Sequence, residues 1–116
     1  MTEQTEHRVW TEPCPRRVRA VLDGVTIADS TGVLYLYETG LLPTYYFPRA
    51  DVRFDLLKPT DHHTTCPFKG EASYWSIQTE RRTVDNAVWG YPEPLPHAPD
   101  IAGYVAFYWD RLDAWY

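Results

Sequence analysis

The sequence has little of what marks metal-stabilised, secreted or membrane-spanning proteins. Its 116 residues include only two cysteines, Cys14 and Cys66, with no CxxC pair and no zinc-finger spacing of cysteines and histidines. Residues 1–10 hold no apolar stretch of the kind found in signal peptides. No apolar run approaches the roughly 18 residues that a membrane span needs. We therefore expect no metal, no cofactor and no membrane partner, and a cytoplasmic location in which both thiols stay reduced.

The sequence also lacks an excess of positive charge. It has 11 lysines and arginines against 16 acidic residues, which gives a formal net charge of −5. An acidic domain does not have the electrostatic footprint of a nucleic-acid-binding protein. The short basic clusters at residues 16–19 and 81–82 are typical of solvated strand ends and turns. We therefore expect no nucleic-acid partner.

The sequence contains many short β-strand patterns that are separated by turns. Residues 71–79 alternate between two faces, and Asp23-Gly24 between two β-prone runs is a strong hairpin signal. With no convincing long amphipathic helix, the pattern predicts an all-β domain of two antiparallel sheets or a partly open barrel. The alternative is an α+β fold with one helix near residues 99–110. The predicted strands are 17–22, 25–28, 33–38, 43–48, 71–79, 85–91 and 105–108.

The chain is predicted to form one domain, residues 16–116, after a flexible N-terminal tail at residues 1–15. The tail is polar, and prolines flank Cys14 on both sides, which is typical of a mobile terminus. Trp10 is the exception, since a large ring can tuck against the body of the domain. Residues 58–66 are polar and are predicted to be turn-rich rather than a strand.

Residues 64–75, TTCPFKGEASYW, carry a thiol and an amine directly before the predicted strand at residues 71–79. Pro67 favours an extended Cys66, and Gly70 permits a turn or a close approach of another backbone. Cys66 is a candidate nucleophile, because a nearby cation such as Lys69 or a protonated His63 would favour its thiolate. The plainer interpretation is a small buried hydrophobic residue beside a solvated Lys69.

Aromatic residues are 16% of the sequence and offer a second candidate site. An aromatic-walled cavity with a few polar groups is the usual form of a small-molecule site. Antiparallel pairing of residues 71–79 with 84–91 would place Tyr74 near Trp89. The competing interpretation is that these rings form the core between the sheets. The predicted ligand-binding residues are Tyr46, Arg49, Tyr74, Trp89, Tyr91 and Tyr108.

Five stretches of the sequence carry a family resemblance. They are LDGVTIADS, YFPRADV, TTCPFKGEASYW, NAVWGYPEP and IAGYVAFYWDRLDAW, at residues 22–30, 46–52, 64–75, 86–94 and 101–115. Over about residues 17–116 the chain resembles a small bacterial family, domain-of-unknown-function family 427 (DUF427). The resemblance implies a β-tent fold, in which two antiparallel sheets pack at an angle over a groove.

The resemblance implies no established activity. Many β-tent proteins carry a structural zinc on two CxxC pairs, which this sequence lacks. The family is sometimes labelled a nucleotidyltransferase-type domain. The sequence has neither a Gly-Ser helix start with a paired Asp-x-Asp nor a phosphate-binding glycine loop.

Three functions are therefore kept open. The first is a domain that binds a small anionic or aromatic ligand, with Cys66, Lys69 and Arg49 at the rim of the groove. The second is an enzyme that uses Cys66 as nucleophile or redox centre, tuned by Lys69 or His63. The third is a protein-interaction module that uses the proline-rich residues 92–99 or an open sheet edge. A monomer or a weak homodimer is expected.

Overall fold

The computed structural model describes residues 7–116, which form ten strands and three short 3₁₀ turns without an α-helix. The all-β prediction is confirmed, and the alternative with a helix near residues 99–110 is wrong. The strands are β1 Val9–Pro13, β2 Val18–Leu22, β3 Val25–Ser30, β4 Leu34–Glu38, β5 Thr44–Pro48, β6 Leu57–Cys66, β7 Gly70–Gln78, β8 Thr83–Gly90, β9 Tyr104–Phe107 and β10 Ala114–Trp115, and the 3₁₀ turns are Arg49–Asp51, Phe54–Leu56 and Trp109–Arg111.

The strands form two antiparallel sheets, as predicted. The large sheet has seven strands in the order β1-β4-β5-β9-β8-β7-β6, and the small sheet has three in the order β10-β2-β3. The β2–β3 hairpin turns at Asp23 and Gly24, whose φ angles of 53° and 74° are both positive. A two-residue turn of this conformation matches the twist of its flanking strands, which explains the Asp-Gly pair.

The space between the two sheets is filled by apolar core. Leu22 and Ile27 from the small sheet and Phe47, Ile77 and Phe107 from the large sheet belong to one buried cluster. Each of these five side chains is at most 1% exposed. Each such burial stabilises the fold by about 1.5–3 kcal/mol relative to exposure. This core holds the sheets together, and none of the predicted site residues belongs to it.

A second buried cluster covers the other face of the large sheet. It includes Tyr46, Tyr74 and Ala106 from the strands, with Tyr91 and Ile101 from the segment that joins β8 to β9. Successive strand residues point to opposite faces. Tyr74 therefore lies in this second cluster while its neighbour Trp75 packs against the first. The candidate site residues are concentrated on this second face.

The predicted tail is wrong from residue 9 onward. β1 pairs with β4 along its whole length, with Trp10 opposite Tyr37, and Cys14 is 4% exposed. The Cys14 amide also donates to the Val33 carbonyl oxygen at 2.9 Å. A five-residue edge strand that ends at Pro13 is too short to show a clear hydrophobic alternation, so the polar composition of residues 1–8 favoured a tail. Residues 1–6 of the predicted tail lie outside the described residues.

The prediction that residues 58–66 form turns is also wrong. They belong to β6, the edge strand of the large sheet, which pairs with β7 from Leu57 opposite Ile77 to Cys66 opposite Gly70. The register shifts between Pro59 and His63, where an edge strand tolerates a proline. Most of β6 is exposed on both faces, so it has none of the apolar alternation by which strands are recognised.

Candidate functional site

The β6–β7 turn aims Cys66 and Lys69 at the second face of the large sheet. The Lys69 amide donates to the Cys66 carbonyl oxygen at 3.2 Å, and Gly70 adopts a φ of 122°. A Cβ at Gly70 would lie 3.2 Å from the Glu93 carbonyl oxygen, and the Leu95 amide donates to the Lys69 carbonyl oxygen at 2.9 Å. Gly70 thus serves both purposes expected of it, a turn and a close approach by the proline-rich segment.

The two thiols differ in exposure. Cys66 is partly exposed and packs against the second cluster, which contains Tyr46 and Tyr91, whereas Cys14 is 4% exposed in the first cluster. Both are free cysteines. The explanation of Cys14 as a residue of a polar tail is wrong, because β1 carries it into the core.

We expect Cys66 to be alkylated well before Cys14 in the native protein, because Cys66 is partly exposed whereas Cys14 is buried. Iodoacetamide treatment followed by mass spectrometry of the two cysteine-containing peptides measures both rates. Labelling in denaturant is the control, where the rates should converge. A Cys66 that stays unlabelled until the protein unfolds would show that it is a packed core residue.

Lys69 forms an ion pair with Glu38 of β4, a strand far from β7 in the order of the large sheet. Its Nζ donates to Glu38 Oε1 at 2.9 Å, and the two side chains are only 12% and 11% exposed. Burial alone would raise the pKa of the Glu38 carboxyl. The hydrogen bond and charge of Lys69, with a smaller contribution from His7, outweigh burial and lower that pKa. The amine therefore neutralises a buried carboxylate, a partner that the sequence did not indicate.

The structure does not bring His63 to the thiol. β6 pairs regularly with β7 over residues 63–66, so His63 and Cys66 point to opposite faces of the strand. The His63 Nδ1 atom lies 3.2 Å from the carbonyl oxygen of Ala72. Of the three residues in the predicted catalytic set, only Cys66 and Lys69 share a face.

Of the predicted ligand-binding residues, the five aromatic ones meet on the second face of the large sheet, and Arg49 does not. We call this set the aromatic face. Tyr74 lies opposite Trp89 in the β7–β8 ladder, which confirms the predicted pairing. The Trp89 indole donates to the Tyr46 hydroxyl at 3.1 Å, and its ring centroid lies 4.6 Å from that of Tyr108. The aromatic face consists of Tyr46, Tyr74, Trp89, Tyr91 and Tyr108.

Arg49 lies elsewhere, so its predicted place at the rim is wrong. Its guanidinium carbon sits 4.4 Å from the centroid of Phe54 and 5.3 Å from that of Trp75. Trp75 points to the opposite face of β7 from Tyr74. The 3₁₀ turn Arg49–Asp51 follows β5 directly and turns this side chain toward the first cluster. Its role in the structure is a pair of cation–π contacts.

The aromatic face is closed at one end and open at the other. Tyr46 and Tyr91, at the Cys66 end, are 1% and 5% exposed, whereas Tyr108 is 38% exposed. A pocket of about 590 Å³ opens beside Tyr108. Its lining residues are His62, Tyr74, Arg82, Thr83, Val84, Asp85, Asn86, Tyr108 and Arg111. Only Tyr74 and Tyr108 of this set were predicted as ligand-binding residues.

A chain of hydroxyl groups runs from β6 into this pocket. The Thr64 and Tyr74 hydroxyl oxygens lie 2.9 Å apart. Burial, followed by a hydrogen bond with Tyr74, raises the pKa of Tyr108 to about 12. The Tyr108 phenol therefore stays protonated at neutral pH and acts as a neutral hydrogen-bonding group.

Asn86 gives the pocket wall an unusual backbone conformation. Its φ of 49° is left-handed, which is uncommon for a residue other than glycine. Its backbone N–H donates to Ser76 Oγ at 3.0 Å, and the Thr60 hydroxyl donates to its side-chain Oδ1 at 2.7 Å. Residues held in such conformations concentrate at functional sites. The sequence carried a weak signal here, since asparagine is the residue that tolerates this conformation best after glycine.

Residues 7–116 contain no group of three or more His, Cys, Asp or Glu side chains placed to hold a metal ion. The described part of the chain also has no helix that is long and apolar enough to cross a membrane.

The fold and the site together define a small all-β domain with two antiparallel sheets and a pocket at one end of an aromatic face. A family model described as a domain of unknown function (DUF427) matches residues 10–116. The chain therefore belongs to this family, as the resemblance indicated. The match begins within β1, which agrees with the strand that replaces the predicted tail. The comparison with curated proteins gives no match.

Proposed function

We propose that this domain binds a small molecule in the pocket at the open end of the aromatic face. The observation that carries the proposal is the pocket itself, in which Tyr74 and Tyr108 emerge beside Arg82, Asn86 and Arg111. Its volume of about 590 Å³ falls within the roughly 300–1,000 Å³ of small-molecule sites. Apolar ring surface with a few hydrogen-bonding groups is the combination by which such sites bind and orient a ligand.

The alternative is an enzyme with Cys66 as nucleophile or redox centre. The partly exposed thiol on the same face as Tyr91 favours it. Binding is the better-supported proposal, because Lys69 is engaged by Glu38 and the Cys66 end of the aromatic face is closed. We propose a bacterial cytoplasmic protein for either function, in which reduced thiols are the expected state, acting as a monomer or a weak homodimer.

Filling the pocket tests the proposal. Thr83 is exposed on a strand and lines the pocket, so Thr83→Trp should occlude it with little effect on the fold. Fragments that shift the NMR resonances of pocket residues in the wild-type protein should lose most of their affinity for this variant.

Thr65→Trp is the matched control for the occluded pocket. It places the same ring at an exposed strand position on β6 that does not line the pocket. Its fragment affinities should equal those of the wild-type protein. Fragments that bind both variants equally well, or resonance shifts confined to other regions, would rule out this pocket as the binding site.

A further inference from the structure

One cation in the pocket has no carboxylate to balance it. Arg111 Nη1 donates to the Asp85 carbonyl oxygen at 3.0 Å, and its guanidinium carbon lies 5.9 Å from the centroid of Tyr108. Among residues 7–116 no carboxylate oxygen lies within ion-pair distance of Arg111. A guanidinium has five N–H donors, so most of its hydrogen-bonding capacity is left for a ligand.

The other arginine of the pocket is already balanced. Arg82 Nη2 lies 3.2 Å from Asp23 Oδ1 and 3.3 Å from Asp113 Oδ1. Its Nε also donates to Asp23 at 3.3 Å. These contacts tie Arg82 to the β2–β3 turn and to the segment before β10. Arg111 is therefore the cation available to a bound anion.

The pocket also offers a second donor group, the side-chain amide of Asn86. The Asn86 side chain accepts a hydrogen bond through Oδ1, but its amide nitrogen has no hydrogen-bond partner among the described residues. Asn86 and Arg111 both line the pocket. An amide N–H₂ and a guanidinium are donors that suit the two oxygens of a carboxylate.

Three aromatic rings, those of His62, Tyr74 and Tyr108, also line the pocket. The Tyr108 ring is part-exposed, and the rings of His62 and Tyr74 stand edge to face with centroids 4.5 Å apart. Aromatic rings in offset or edge-to-face contact attract another aromatic ring beyond the gain from its burial. A flat ring fits this wall better than a bulky aliphatic group.

We infer that the pocket binds an aromatic carboxylate, with the carboxylate at Arg111 and the ring against Tyr108. The inference rests on the proposed function and names the chemical class of its ligand. A single unbalanced arginine suits a monoanion, and the Asp85 side chain, which also lines the pocket, opposes a dianion such as a phosphate monoester. The specificity would therefore combine one negative charge with one planar ring.

Four probes of similar size separate these features. Benzoate carries both the ring and the charge, benzamide is its neutral counterpart, cyclohexanecarboxylate keeps the charge without the flat ring, and phenyl phosphate carries a dianion. Each is titrated into the full chain at constant ionic strength, and the resonances of the pocket residues are followed by NMR. We expect benzoate to bind about ten-fold or more tightly than any of the other three.

Arginine variants test which side chain binds the carboxylate of the probe. Arg111→Met should reduce the affinity for benzoate to that for benzamide, while benzamide binding stays unchanged and reports that the pocket is intact. Arg19→Met is the matched control, because Arg19 also lies over a tyrosine, 5.2 Å from the centroid of Tyr116, but does not line the pocket. It should leave the affinities for all four probes unchanged.

The experiments distinguish a failure of the aromatic-carboxylate inference from a failure of the proposed small-molecule binding. Equal binding of benzoate and benzamide, or an Arg111→Met variant that still prefers benzoate, would overturn the carboxylate inference and leave small-molecule binding in place. Tighter binding of phenyl phosphate would overturn the preference for a monoanion. If no probe shifts pocket resonances, the aromatic-carboxylate inference is wrong. If, in addition, no library fragment shifts them, the proposed function is wrong as well.

Discussion

Replacing Gly70 with alanine should lower the free energy of unfolding by about 2–4 kcal/mol, because strain and crowding act together at this position. The φ of 122° is one that residues with a side chain rarely adopt. The added Cβ would also lie 3.2 Å from the Glu93 carbonyl oxygen and 3.4 Å from the Leu95 nitrogen, both backbone atoms. The proline-rich segment would have to move away from the β6–β7 turn. Urea unfolding at an unchanged m-value measures the loss.

Alanine substitutions at two other glycines separate the cost of backbone strain from the cost of steric crowding by the added Cβ. Gly24 has a φ of 74° but nothing within 4 Å of an added Cβ, so Gly24→Ala should cost only the strain, about 1–2 kcal/mol. Gly103 has neither a positive φ nor a close neighbour, and Gly103→Ala should change stability by less than about 0.5 kcal/mol. If Gly70→Ala costs no more than Gly24→Ala, the contact with Glu93 does not constrain the turn.

Glu38→Gln should be the second strongly destabilising change, with an expected loss of about 2–4 kcal/mol. It leaves the ammonium of Lys69, whose side chain is 12% exposed, without the carboxylate that balances its charge. Lys69→Met combined with Glu38→Gln should recover part of that loss, because the unbalanced charge is then removed. Chemical denaturation of the two single variants and the double variant gives the coupling energy.

An exposed ion pair provides the control for this cycle. Arg53 and Asp55 are joined at 2.7 Å, but their side chains are 53% and 62% exposed. Asp55→Asn should cost less than about 1 kcal/mol. Equal losses for Glu38→Gln and Asp55→Asn would show that the Lys69 pair contributes no more than a surface contact.

The pH dependence of stability should report the same pair. The pKa of Glu38 is lower in the folded protein than its ordinary value, so its contribution is fully present above the unfolded pKa and is lost as pH falls through the folded pKa. The wild-type protein should therefore lose more stability on acidification below the ordinary glutamate range than Glu38→Gln does. Unfolding midpoints measured from neutral to acidic pH provide the comparison.

Local patterns were sufficient to predict the strands with one buried face. Residues 71–79 alternate regularly, and the turn after them paired Tyr74 with Trp89 as expected. The edge strands β1 and β6 were missed because β1 is only five residues long and most of β6 is polar and exposed on both faces. An exposed edge strand lacks the apolar period that burial imposes on a central strand.

The site was predictable only as far as neighbours in sequence determine it. Cys66 and Lys69 share a face because one short turn positions both. Glu38, in contrast, reaches Lys69 from 31 residues away. Arg111 enters the pocket through a 3₁₀ turn that no periodicity marked. Contacts between distant segments depend on strand order, which the local pattern leaves open.

The contact between Glu38, the last residue of β4, and Lys69, the residue before β7, also indicates the shape of the large sheet. β4 and β7 are four strand positions apart in the sheet order, a separation of about 19 Å if the sheet were flat. Side chains of glutamate and lysine do not bridge that distance, yet theirs meet at 2.9 Å, and His7 stacks on Phe68 at 3.8 Å beside them. The sheet must therefore bend across its width into a trough, with the aromatic face on the concave side. Within residues 7–116 its outer strands do not pair with each other, so side chains hold the trough closed at this end.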